Sequence, residues 1–219
     1  MNKPYEGLFI SIEGGEGAGK STLSEQLALR LEKRGYKVEK TREPGGSPLS
    51  EHIRHLLLDP DKKIAIGQQA ELFLFLAARA QHVEERILPA LRQGKVVICE
   101  RFNDSTIAYQ GCARHLGMHH VEQLCKLICG ADFEPNCTFF LDLDPAEGMK
   151  RIRGKKADRL EQEQLQFHRE VRQGFLHLAD QHPDRIVILD ASSTVEQVVD
   201  SAIQALESRL HLNPTQSYT

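Results

Sequence analysis

The chain has 219 residues, 27% of them charged, and a net charge of −3. A chain of that length reads as one domain, spanning residues 1–219, and buries about 70% of its unfolded surface without needing disulfide or metal staples. The slight acidic balance argues against a dedicated nucleic-acid binder, which carries a basic excess, and no apolar run is long enough to span a bilayer.

The N-terminus shows no signal-peptide pattern, so a cytoplasmic protein is expected. Residues 8–12 are a short apolar run that reads as a buried parallel strand. Gly14-Gly15-Glu16-Gly17-Ala18-Gly19-Lys20-Ser21 follows and fits Gly-x-x-x-x-Gly-Lys-Ser, the P-loop pattern. Its glycines let backbone N–H groups approach phosphate oxygens, Lys20 supplies a point charge, and Ser21 offers a hydroxyl to Mg²⁺. A helix beginning near Gly19 points its positive dipole end at the same anion. Leucines at 23, 27 and 31 mark that helix over residues 21–34, with Gly35 as its stop.

A strand over 36–41 then empties into Arg42-Glu43-Pro44-Gly45-Gly46-Ser47-Pro48, whose prolines and glycines impose a bent loop. A short helix is predicted over 49–58. A longer one is predicted over 68–93 with a bend at Pro89. Its stretch at 70–78 is apolar nearly all round, so it must be covered on more than one side, by the core or by a second subunit. The β-branched run at 96–99 is a second strong strand, closed by Glu100-Arg101. A helix follows around 105–110 and another at 121–129. Residues 137–143 form the third strong strand, and Pro145 opens a helix. The stretch 150–159 carries six basic residues. A long helix runs from there to about 181, before a last strand at 185–190 and a last helix at 195–210. Strands alternating with helices give an α/β fold with a parallel sheet of five strands and helices on both faces. The five cysteines (99, 112, 125, 129 and 137) include no Cys-x-x-Cys pair and read as buried small hydrophobes in a reducing compartment. The tail from about Asn213 reads as frayed.

Ligands in such sheets sit beyond the C-terminal strand ends. The Arg42 loop lies at one such end, where its restricted backbone suits a shaped wall. Phe75 and Arg79 are one helical turn apart, a ring and a donor fork suited to a nucleobase. If the strand at 96–99 neighbours the first strand, Glu100 lies beside the P-loop and can help hold Mg²⁺, directly or through water; Asp142 and Asp144 compete for that role. Arg101 would face the same crevice, where a guanidinium suits a second phosphate. The basic run at 150–159 reads either as a solvated surface or as a mobile flap carrying arginines over a transferring phosphoryl group.

These residues together resemble the bacterial thymidylate kinase family. The specific matches are Arg42-Glu43-Pro44-Gly45-Gly46, Phe75-x-x-x-Arg79 and Arg101-Phe102-x-x-Ser105-Thr106-x-Ala108-Tyr109-Gln110-Gly111. The resemblance implies a P-loop NTPase fold with a short basic lid near 150–162. It implies transfer of the γ-phosphoryl group of ATP to dTMP with Mg²⁺, in a homodimer. ATP would lie on Gly14, Gly15, Glu16, Gly17, Ala18, Gly19, Lys20, Ser21 and Thr22, with Ser21 and Glu100 toward the metal. Thymidylate would be held by Arg42, Pro44, Phe75, Arg79, Arg101, Ser105, Thr106, Tyr109 and Gln110. In particular, Phe75 would stack on thymine, Arg79 would bond its O4 edge, and Tyr109 would crowd the sugar C2′. Glu16 would touch the 3′-hydroxyl or the metal shell, and Lys20 would follow the phosphoryl group. One branch of the family carries a catalytic arginine in the P-loop, at the position of Gly17. Glycine cannot serve there, so the lid arginines Arg151, Arg153 and Arg159 take over, with Arg153 favoured. The chain departs from the family pattern at Glu100, where Asp is usual, and at Ser47, where Thr is usual. Two other readings of the same residues are a P-loop kinase for a different acceptor, and an ATP-switched regulatory protein.

Overall fold

The protein was analysed as a computed structural model that describes residues 5–60, 64–154 and 157–210. The frayed tail, the first four residues, and Lys155 and Lys156 of the basic run lie outside that set. Five parallel strands, β1 (Leu8–Gly14), β2 (Val38–Arg42), β3 (Val96–Glu100), β4 (Cys137–Asp142) and β5 (Ile186–Asp190), make one sheet in the order β2-β3-β1-β4-β5. The first strand is therefore the central one. Ile12 pairs with Glu100 across β1 and β3, which meets the neighbour condition set by the sequence.

Strand alternation divides the core into two layers. Ile10, Ile12 and Phe139 face one side and pack with Leu27 of α1 (Lys20–Glu32) and Ile203 of α9 (Val195–Leu210). Phe140, one residue on, faces the other side and stacks on Phe175 of α8 (Leu165–Gln181), ring centroids 5.0 Å apart. That layer also holds Phe75 of α3 (Gln68–His82) and Val121 of α6 (Met118–Cys129). Near its edge, Phe9, Phe102 and Phe133 form a third apolar group.

Local chemistry sets the helix ends. α2 (Pro48–Leu58) begins at Ser47, whose hydroxyl accepts from the Ser50 N–H, with Pro48 in the first turn. α7 (Pro145–Ile152) begins the same way, with the Asp144 carboxylate accepting from the Ala146 N–H at 2.8 Å. The bend expected at Pro89 takes another form. The helix passes through a π-helical segment, Val83–Ile87, before continuing as α4 (Leu88–Arg92). Proline has no N–H to donate and crowds the carbonyl four residues back, and the wider turn absorbs that mismatch. A second π-helical segment, Ile107–Ala113, follows α5 (Asn103–Thr106) and carries Tyr109 and Gln110.

The α3 stretch that is apolar all round is buried on all but one stripe. Ala70, Phe73 and Ala77 stay exposed, Phe73 at 57%. The five cysteines are all free thiols. No helix among the described residues is long and apolar enough to cross a membrane.

A buried polar knot ties the Arg42 loop to α3. Glu43 accepts from Arg79 Nε at 2.7 Å and pairs with His82 Nδ1 at 2.9 Å, and all three side chains are nearly inaccessible. Burial pushes the Glu43 carboxyl up, but Arg79 and His82 outweigh it and hold it below its ordinary range.

Candidate active site

β1 ends at Gly14 and α1 starts at Lys20, so the P-loop spans the gap between the central strand and the first helix. Gly19 caps that helix with φ +94, a conformation glycine adopts without strain. Glu16, Gly17, Gly19, Lys20, Ser21 and Thr22 line a cavity of about 560 Å³. Gly14 and Gly15 contribute their carbonyls, which accept from Lys20 Nζ at 3.2 and 2.6 Å. Ala18 is buried behind them. Burial, with Arg101 close by, pulls the Lys20 ammonium down to about 8 against the opposing pull of Glu16, Glu100 and Glu13. A bound polyphosphate would favour its charged form.

Of the three carboxylates considered for the metal, Glu100 stands in place. Its Oε2 accepts from the Ser21 hydroxyl at 2.6 Å. Asp142 is taken up by Arg172, at 2.6 and 2.9 Å, and Asp144 caps α7.

The same cavity brings together all nine residues expected at the acceptor: Arg42, Pro44, Phe75, Arg79, Arg101, Ser105, Thr106, Tyr109 and Gln110. Several of them already have protein partners. Arg79 is held by the protein: Nε bonds Glu43, NH2 donates to the Phe102 carbonyl at 3.0 Å, and the guanidinium lies over the Phe102 ring. Only its NH1, 3.8 Å from Cys125 Sγ, is left without an oxygen partner among the described residues. Arg42 makes a two-pronged contact with Glu51 at 3.0 and 3.1 Å. Gln110 donates to Glu71. Arg54, which the sequence did not single out, also lines the cavity and donates to the Pro44 carbonyl at 2.8 Å. It sits inside an amphipathic helix with no motif around it, so no local signal marked it.

Arg101 is the hub. Its guanidinium donates to the Gly14 carbonyl at 3.0 Å, to Ser105 at 3.3 Å and to Glu16 Oε1 at 2.6 Å, and it stacks over Tyr109 at 5.0 Å. The Tyr109 hydroxyl donates to the same Glu16 oxygen at 2.8 Å. Burial pushes Glu16 up, yet Arg101, Lys20 and Tyr109 together outweigh it and hold the carboxyl at about 2. Burial likewise works against the Arg101 charge, and Glu16, Tyr109 and Glu13 together outweigh it, so its pKa is raised. The P-loop and the facing cavity wall are thus linked by one half-buried ion pair.

The lid arginines separate. Arg151 lines the cavity and donates to the Ala191 carbonyl at 3.0 Å. Arg153 is exposed just past the end of α7, beside Gly154, and does not line the cavity. Arg159, expected to act in catalysis, is turned away: it donates to the Leu57 carbonyl at 2.7 Å and to Glu71 at 2.5 Å. The reason is electrostatic. Glu71 is 1% exposed, and Arg114 and Arg159 are the cations that neutralise it.

Gly17 has a steric explanation as well as a chemical one. A Cβ there would lie 2.2 Å from the Gly148 carbonyl oxygen, and a Cβ on Gly148 would lie 2.1 Å from the Glu16 carbonyl oxygen. The P-loop and α7 touch backbone to backbone, leaving no room for a side chain on either.

The central P-loop, the carboxylate beside its serine and the base-sized pocket opposite define a P-loop NTPase-fold protein equipped for two ligands, an ATP-like donor and a phosphorylated acceptor. Comparison with known proteins narrows the class. A sequence model of the family described as Thymidylate kinase matches residues 12–202. The chain is 50% identical over 213 residues to a thymidylate kinase of Protochlamydia amoebophila, covering 94% of each chain. It is 52% identical over 198 residues to one of Chlamydia muridarum, covering 90% of this chain and 97% of that one. The crystal structure of thymidylate kinase from Ehrlichia chaffeensis superposes with a TM-score of 0.75 at 34% identity, covering 91% of this chain and 98% of that one. The chain belongs to the thymidylate kinase family.

Two outcomes are expected from this geometry. Gly148→Ala must push α7 off the P-loop, and an ångström-scale misplacement costs roughly 10²-fold in turnover; steady-state assays check this, with circular dichroism to confirm the fold. The second concerns acid stability. The Glu16 pKa is about 2 in the folded state against an ordinary 4.5. A depressed folded-state pKa contributes stability that is fully present above the unfolded value and is lost as pH falls through the folded one. The charge-linked stability gap between wild type and Glu16→Gln should therefore be open above pH 4.5, worth about 3 kcal/mol, and should close toward pH 2. Urea unfolding at a series of pH values measures it.

Proposed function

We propose that this member of the family transfers the γ-phosphoryl group of ATP to dTMP, giving ADP and dTDP for dTTP synthesis. The observation that carries the reading is the Glu16–Arg101 pair, which sits where a donor phosphate on the P-loop and an acceptor phosphate beneath Arg101 would meet. In the transfer, the bond from the γ-phosphorus to the β–γ bridging oxygen breaks and a bond to an acceptor phosphate oxygen forms. That acceptor oxygen is already anionic near neutral pH, so no general base is needed and the protein mainly positions and neutralises.

Each side chain has a derivable share in that task. Lys20 leaves the Gly14 and Gly15 carbonyls for the phosphates, which are better acceptors. Arg101 exchanges part of its contact with Glu16 for the acceptor phosphate, with Arg42 and Arg54 on the same wall. Phe75 offers its face to the base, Arg79 NH1 the remaining donor, and Tyr109 closes on the sugar. Ser105, Thr106, Gln110 and Pro44 complete the wall. Ser21 and Glu100 present two hard oxygens beside the loop, a donor set that fits Mg²⁺. When bound there, Mg²⁺ neutralises charge building on the transferring group. Residues 150–162 serve as the lid of a single kinase domain. Within it we assign the charge-stabilising role to Arg153, because it lies beside Gly154 at φ +93, a natural pivot. The exposed Ala70, Phe73 and Ala77 stripe supports a homodimer, and small nucleotide substrates suit work in the cytoplasm without nucleic-acid or membrane partners.

A coupled ADP-release assay with dTMP, dUMP, dCMP and dGMP tests the acceptor. The highest kcat/KM is expected for dTMP, with dUMP weaker by roughly 10–200-fold because one methyl is worth only about 1–3 kcal/mol; preference for any other acceptor would sink the reading. In the same assay Arg153→Ala should lower kcat by about 10³-fold or more with little change in KM. Near-normal turnover would move the role to Arg151 and leave the kinase reading intact.

A further inference from the structure

One carboxylate beside the site does not line the cavity. Glu13 is the next-to-last residue of β1, and its side chain is fully buried. Each of its oxygens accepts from the segment that follows β3. Oε1 takes the Phe102 backbone N–H at 2.7 Å, and Oε2 takes the Ser105 hydroxyl at 2.5 Å. One residue earlier, the Ile12 carbonyl accepts from the Arg101 N–H at 2.9 Å. The end of β1 therefore grips residues 101, 102 and 105 at three points.

That segment requires a grip. Arg101 has φ +67, a left-handed conformation that a residue with a Cβ rarely adopts. Such backbone persists only where the surroundings over-determine it. The turn decides where the side chain goes: it brings the guanidinium back over Tyr109 to Glu16, Gly14 and Ser105. An arginine continuing β3 in extended geometry would follow the strand's alternation instead.

A carboxylate is an expensive way to fill this place. Burial pushes Glu13 up to about 7, Asp104 adds to that, and Ser105, Arg101 and Phe102 oppose it. An apolar side chain of similar volume would serve packing at lower cost. It could not accept two hydrogen bonds from the two ends of a four-residue turn.

Resting on the reading of Arg101 as the clamp on the acceptor phosphate, we propose that Glu13 is a positioning residue for phosphoryl transfer, whose carboxylate holds the turn at residues 101–105 and so aims Arg101 at the acceptor. Its effect falls mainly on the acceptor, which Arg101 would touch directly, whereas Arg101 reaches the P-loop through Glu16 and Gly14.

Calorimetric titration of the full chain with dTMP, and separately with ATP, tests this. Glu13→Gln should weaken dTMP binding roughly tenfold or more while ATP binding stays within about twofold. In an Arg101→Ala background the same substitution should add no more than about twofold for dTMP, because the two residues act as one unit. Ser11→Ala removes another buried bond of β1, the one to Thr138 at 2.7 Å, and as a purely structural control should leave dTMP affinity unchanged. Should Glu13→Gln fail to fold by circular dichroism, Glu13→Asp, with its charge one methylene short, carries the same cycle. A folded Glu13 variant with wild-type dTMP affinity would overturn the inference, as would a full penalty persisting beside Arg101→Ala; both leave the kinase reading in place. A wild-type protein that binds ATP but not dTMP would remove that reading, and this inference with it.

Discussion

The parallel pairing of β1 with β3, which sets Ile12 opposite Glu100, is the constraint on which the site depends. β1 delivers the P-loop and β3 delivers Glu100 and Arg101, so a shift of one residue would turn every one of those side chains to the opposite face of the sheet. The register holds because both strands are buried on both faces. From it follow the 2.6 Å contact of Ser21 with Glu100 and the 2.6 Å contact of Glu16 with Arg101, which join the donor side to the acceptor side.

Around that register the protein carries a set of buried and half-buried charges, each with its counter-charge already in place. Arg79 has Glu43, Arg101 has Glu16, Arg159 and Arg114 have Glu71, and Arg185 has Asp104. A buried ion pair contributes little net stability, but removal of one partner strands the other. The gain is geometric. Guanidinium groups held by carboxylates point in fixed directions before any ligand arrives, which lowers the entropy cost of assembling two nucleotides. Glu13 and Glu16 show the division of labour: three residues apart, one has its carboxyl raised to about 7 and holds backbone, while the other is lowered to about 2 and holds the arginine.

The contact of Gly17 with Gly148 leaves no room for a side chain at residue 17. With the backbone of α7 seated on the P-loop, an arginine at residue 17 has no path into the cavity. The helix that excludes it also carries Arg151 into the cavity lining and ends beside Arg153. One packing contact thus closes residue 17 to a side chain and sets where α7 carries Arg151 and Arg153.

Much of this was legible in the residues themselves. The P-loop and the five strands follow from short-range pattern, glycine spacing and apolar runs; most of the nine residues expected at the acceptor came through the family resemblance, and the fold brings all nine to one cavity. The helix irregularity before Pro89 was legible in kind but not in form, because a proline signals a mismatch without choosing how the backbone absorbs it. Other features were decided in three dimensions. Glu13 looks like any polar residue on a strand until β3 supplies the Phe102 N–H and the Ser105 hydroxyl. Arg159 looks like a free cation until Glu71, far away in sequence, pairs with it. Arg79 looks like a free donor fork until Glu43 and Phe102 take most of its donors. Sequence by itself determined which groups could carry the chemistry, because spacing and residue type are local properties. Tertiary structure alone decided which charges were left for a ligand, because every charge that is buried must first be neutralised by whatever the fold places beside it.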